Sequence, residues 1–111
     1  YDARALERVR AEHPGPARLA TRHGTLADLL AGRVPFADCA LVYAPSLADH
    51  LPDDTLSRLL EALVPALRPH GEIVVPGFTR LPEPGLLERA GDWRPNTRSR
   101  DRMLRLVRDL D

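Results

Sequence analysis

Asp49 and His50 stand side by side in the run Ala44-Pro45-Ser46-Leu47-Ala48-Asp49-His50-Leu51-Pro52, which directly follows an apolar stretch. Histidine titrates closer to neutral pH than any other side chain and can take a proton from a hydroxyl or an amine. For a reaction that removes such a proton, Asp49 and His50 are the candidate catalytic residues. The competing structural reading has Asp49 closing a turn and His50 half exposed on a rim. His13, His23 and His70 occur singly, with no pair at metal-ligand spacing, so no metal site is expected. Cys39, the single cysteine, excludes an internal disulfide and a cysteine-based zinc site. Set among apolar residues, it reads as an inert thiol. Trp93 suits either a lid over a substrate or a packing anchor for an irregular segment. Arg98, Arg102 and Arg105 would share one helical face, able to meet phosphate or a substrate carboxylate. The alternative is a solvated face balanced by Asp101, Asp109 and Asp111.

The elements that must position these residues follow from apolar spacing and punctuation. Asp2 stands where a helix N-cap belongs, and Leu6 and Val9 mark one side of a helix running to His13. Pro14-Gly15-Pro16 ends it. Ala17 to Thr21 reads as a short strand, His23-Gly24 as a turn, and Thr25 as the cap of a short helix, Leu26 to Ala31, closed by Gly32. Cys39-Ala40-Leu41-Val42-Tyr43 is the clearest strand, apolar on both faces like a buried parallel strand. The strongest helix starts at Asp53 or Asp54, with Leu56, Leu59, Leu60, Leu63, Val64 and Leu67 as its stripe. Pro65 should kink its last turn or end it early. Arg68-Pro69-His70-Gly71 reads as a stop, Glu72 to Val75 as a further strand, Leu86 to Arg89 as a helical turn, and about Ser99 to Leu110 as a last helix. Strands alternating with helices predict an α/β fold with a mostly parallel, doubly wound sheet of about three strands, covered on both faces. Ligands in such sheets bind beyond the carboxyl ends of the strands, which directs attention to Arg22 to Leu26, Tyr43 to Leu51 and Pro76 to Arg80.

The chain has 111 residues, room for one domain and not two. Sixteen basic and sixteen acidic residues cancel, so binding to nucleic acid or an anionic membrane through overall charge is excluded. Every basic residue is arginine, a bias of composition with no chemical role assigned to it. The longest apolar runs are far too short to span a bilayer and the N-terminus is charged, so a cytoplasmic location is the expectation.

Asp38 to Tyr43, the loop through Asp49-His50-Leu51, a leucine-striped helix, Leu67-Arg68-Pro69-His70-Gly71 and Glu72 to Val75 follow one another in a familiar order. That order resembles the second half of a class I, Rossmann-like S-adenosylmethionine-dependent methyltransferase. In that family an acidic residue opens the fourth strand, a loop with D-Y-L or D-H-L follows, and L-x-P-G-G precedes the fifth. Here His70 replaces the first glycine of the last motif. Tyr1 to Leu6 is similar to the D-x-D-P-x-A-L region of the family's second strand and following helix. Asp92-Trp93, Arg98 and Met103 resemble the D-W-x-L-x-Y-R-T pattern of a bacterial subgroup.

The resemblance implies S-adenosyl-L-methionine as cofactor and a small-molecule acceptor as partner, with residues 1–111 forming the central and C-terminal portion of a methyltransferase-like domain. It places Asp2, Thr25, Leu26, Tyr43, Ala44 and Pro45 at cofactor-binding positions; Trp93 and Arg98 are the candidate substrate-binding residues. The family's glycine-rich turn has no counterpart here, nor do its two last strands. The expectation is a truncated or incomplete domain that binds the cofactor weakly or not at all. Exposed sheet edges would then favour a homodimer or pairing with a missing segment. Two alternatives stand beside the enzyme: a non-catalytic methyltransferase-like interaction or dimerisation module, and another doubly wound nucleotide-binding half.

Overall fold

The computed structural model describes residues 2–15, 19–81, 83–108 and 110. Asp2 accepts hydrogen bonds from the backbone N–H groups of Arg4 (3.0 Å) and Ala5 (3.3 Å), which starts helix α1 at Ala3–Glu12. Thr25 starts α2, Leu26–Leu30, through a reciprocal capping box with Asp28. Gly32 leaves that region with a positive φ of 73°, a conformation glycine adopts without penalty. Strand β1 spans Cys39–Tyr43, as its apolar run predicts. A short helix, α3, follows at Leu47–His50, where the sequence suggests only a loop. The leucine-striped α4 occupies Asp53–Leu63, and Pro65 sits in a single 3-10 turn, Val64–Ala66, that ends it.

Strand β2, Leu67–Val74, starts earlier than expected, because the Arg68 to Gly71 stop lies inside it as a bulge. Cys39 pairs with Leu67 and Leu41 with Glu72, so Ala40 faces four residues of β2. Pro69 offers no N–H to a ladder, and His70 turns the chain with a φ of 63°. Gly71 lies so close to β1 that a Cβ there would sit 2.6 Å from the Cys39 carbonyl oxygen. Helix α5, Pro84–Gly91, is longer than the turn anticipated at Leu86 to Arg89, and α6 covers Arg100–Val107.

The fold is mixed α/β, with β1 and β2 parallel. Two expectations are corrected. Among the described residues the sheet has two strands rather than three, because Leu19–Thr21 pair with neither strand; Thr21 instead accepts the Arg10 guanidinium through its hydroxyl and carbonyl oxygens. Ala17, the predicted start of that strand, lies outside the described residues. The sheet is also not covered on both faces. Val42 and Ile73 pack on the core formed by Ala48, Leu51, Leu56, Leu59, Leu60 and Leu63, whereas Leu41 and Tyr43 on the opposite face are 55% and 60% exposed. Period-two alternation sorts the two sets, and among the described residues helices fill only one side.

Candidate functional site

The loop after β1 is built around two buried ionic side chains. Asp49, on α3, accepts the backbone N–H of Phe78 at 3.0 Å on its carboxylate. The Asp49 carbonyl accepts both the Asn96 backbone N–H (2.7 Å) and its side-chain amide (3.2 Å). Gly77 fits the same corner: a Cβ there would lie 3.3 Å from the Asp49 carboxylate. One residue thus ties α3 to the strand exit at Gly77-Phe78 and to the segment before α6. Asp49, one of the two candidate catalytic residues, is only 3% exposed and its carboxylate holds the backbone in place.

Arg98 is the second tie. Its Nε donates to Asp53 at 2.7 Å, Nη1 to the carbonyls of Ala48 (2.5 Å) and Asn96 (3.2 Å), and Nη2 to the carbonyl of Leu51. The Ala48 and Leu51 carbonyls lie at the end of α3; the Ala48 carbonyl also accepts the Leu51 N–H (3.3 Å), and the guanidinium fork supplies the Leu51 carbonyl with its donor. Arg98 does not share a helical face with Arg102 and Arg105. Ser99 caps α6 by accepting the Arg102 N–H (3.3 Å), which leaves Arg98 in the extended segment before the helix, its own N–H on the Phe78 carbonyl (2.9 Å). Arg102 also donates to Asp53, at 2.5 Å. Burial works to raise the Asp53 pKa, but the hydrogen bonds from Arg102 and Arg98 outweigh it and hold the carboxyl below its usual value.

His50 points outward from this framework and stacks on Trp93, with ring centroids 4.8 Å apart and planes 18° from parallel. Phe78 meets Trp93 edge-on at 6.5 Å. Asp92 makes this approach possible by ending α5 in a left-handed conformation, φ 47°. The indole Nε1 is buried, with no hydrogen-bond partner among the described residues. Trp93 thus packs against both His50 and Phe78. A cavity of about 250 Å³ opens beside this loop between Ala48, Val75, Gly77, Thr79, Asn96 and Arg98.

The other predicted positions do not converge on one site. Thr25 and Leu26 line a separate cavity of about 940 Å³ with His23, Phe36 and Leu47. The Thr25 hydroxyl is engaged with Asp28, whose carboxyl is held far below its usual value by hydrogen bonds from Thr25 and then from Arg33. Tyr43, Ala44 and Pro45 lie at the carboxyl end of β1, outside the lining of that cavity. Asp2 spends its carboxylate on the N-cap of α1. Cys39 is half-buried, its thiol 3.8 Å from the Ala37 carbonyl oxygen. Among the described residues no group of three or more His, Cys, Asp or Glu side chains is placed to hold a metal ion, and no helix is long and apolar enough to cross a membrane.

The roles of Asn96 and Asp53 were not anticipated. Asn96 carries no sequence signal, since its bonds depend on a contact 47 positions away. Asp53 was read only as a helix start. No family model, curated protein or solved structure matches the chain.

Proposed function

We propose that this chain supplies the acceptor-side half of an S-adenosylmethionine-dependent methyltransferase acting on a small molecule, within a Rossmann-like sheet. The observation that carries this reading is the parallel β1–α4–β2 unit, whose loop beyond β1 buries Asp49 and presents His50 on the rim against Trp93. Loops at the carboxyl ends of parallel strands are where such folds bind ligands. Bound S-adenosylmethionine would supply a methyl group already activated on a sulfonium.

The residues present fit part of that molecule. Thr25, Leu26 and Phe36 line a cavity roomy enough for a nucleoside, with Phe36 39% exposed and available to stack on a flat ring. Tyr43, Ala44 and Pro45 would face the reacting end. None of the described segments offers the glycine-rich turn that admits an amino-acid moiety. The chain's own work in the reaction is to place the acceptor and exclude water. His50, solvent-exposed on one side, takes the acceptor proton and releases it to water. Asp49 acts as a positioning residue, because its bond to Phe78 fixes the loop that carries His50.

Titration of the full 111-residue chain with S-adenosylmethionine, followed by amide NMR shifts, tests this. The expected result is weak binding, with a Kd near or above about 1 mM, and shifts concentrated at Thr25, Leu26 and Tyr43–Ala44. Unchanged spectra, or shifts confined to other regions, would sink the reading. Micromolar affinity would refute the claim that part of the cofactor site is missing.

A further inference from the structure

The chain exposes more surface than a folded monomer of its mass should. Its accessible surface is 8588 Å², against about 6,100 Å² for a monomer of 12.3 kDa. The radius of gyration is 16.0 Å, against about 13 Å for a compact domain of this length. A standard interface takes only about 800 Å² from each partner.

Part of this surface forms a groove with a free strand edge. An apolar trough of about 530 Å³ runs between α6 and the helix-side face of β2, lined by Leu60, Val64, Ile73, Val75, Leu104 and Val107 among others. Leu104 and Val107 remain 48% and 38% exposed, although α6 already buries part of its apolar side against the core through Met103 and Leu106. Among the described residues β2 pairs with β1 alone. The Val74 carbonyl accepts from the Ala44 N–H (3.0 Å); because backbone groups alternate along a strand, those of Ile73 and Val75 face the open side. The first half of β2 is blunted by Pro69 and its bulge, so the free edge is confined to Glu72–Val75.

We propose that a second copy of this chain covers this edge. The two β2 strands run antiparallel about a two-fold axis normal to the sheet, which extends it to β1-β2-β2-β1 and sets the two α6 helices side by side. Leu104 and Val107 of each copy then pack across the axis. A zero net charge leaves no long-range repulsion between copies, and an isologous contact closes at two. The pairing is independent of the proposed methyl transfer.

Sedimentation equilibrium of the full chain, with hydrogen exchange on the same samples, tests it. The expected mass is twice 12.3 kDa, and the amides of Ile73 and Val75 should gain protection as concentration rises. Val107→Glu and Leu104→Glu, each checked for native circular dichroism, should weaken association by about tenfold or more. Tyr43→Glu, on the opposite face of the sheet, should leave it unchanged. A cooperatively folded monomer, open-ended association, or a dimer broken by Tyr43→Glu but not by Val107→Glu or Leu104→Glu would overturn the proposal. So would a dimer in which Ile73 and Val75 stay unprotected; if one α6 variant fails to fold, the other decides.

Discussion

Replacing Arg98 with methionine removes a guanidinium while keeping most of the side-chain volume. Arg98 is 4% exposed and its side chain makes four hydrogen bonds, three of them to carbonyl oxygens. Asp53 keeps Arg102 as a partner, so the variant does not strand a carboxylate. What it strands is the buried Leu51 carbonyl, at a cost of about 1–3 kcal/mol without a donor, whereas the Ala48 carbonyl keeps the Leu51 N–H at 3.3 Å. The expected loss is about 2 kcal/mol, a sizeable share of the roughly 5–15 kcal/mol that holds a domain together. For a chain of this length, that lowers the thermal midpoint by about 8 °C or more. Arg102→Met is the control. Arg102 meets the same carboxylate but is half exposed, and a pair of that kind contributes about 1 kcal/mol or less. Circular dichroism melts of both variants decide the matter. An Arg98→Met midpoint within about 4 °C of the parent, or equal losses in the two variants, would refute the idea that Arg98 holds α3 by its carbonyls.

Acid should weaken the fold through Asp53 and Asp28, whose carboxyls lie below their usual values when folded. Such groups contribute stability that is complete above the unfolded carboxylate pKa of about 4 and is lost as pH falls through the folded value; urea midpoints measured down the acid range should therefore drop less in Asp53→Asn than in the parent. Gly71→Ala should cost more than 1 kcal/mol, about the ordinary effect of a substitution, because its Cβ would sit 2.6 Å from the Cys39 carbonyl oxygen and backbone must move; a neutral urea midpoint would show that the bulge adjusts freely. His70→Gly should instead stabilise by about 0.5–1 kcal/mol, the relief of left-handed strain less the added freedom of the unfolded chain. His50→Ala should red-shift the emission of Trp93, the single tryptophan, by uncovering the stacked ring; an unchanged spectrum would mean that the stack does not persist in solution.

His70 illustrates how a sequence feature gains meaning from structure. On its own, Arg68-Pro69-His70-Gly71 looks like a simple stop signal. The backbone angle at His70 is the one glycine favours, and Gly71 next to it packs against β1. The bulge thus holds one residue under backbone strain beside a glycine packed on the neighbouring strand.

Local signals carried much of the architecture. Asp2 and Thr25 announced helix starts, Gly32 a helix end, and Pro65 the break after α4, because each acts on backbone within a turn or two. The Leu56, Leu59, Leu60, Leu63 stripe and the Cys39–Tyr43 run were readable because burial imposes a period on each element. Nothing local separates a strand at Leu19–Thr21 from an extended segment without a partner, since a strand exists only when another chain segment pairs with it. The same limit applies to the candidate site. Composition and spacing brought forward Asp49, His50, Trp93 and Arg98, but their division of labour depends on contacts across 29 to 50 positions. Only the tertiary structure decided that Asp49 and Arg98 face inward as ties while His50 and Trp93 stack at the rim, because burial and partner choice belong to the assembled chain.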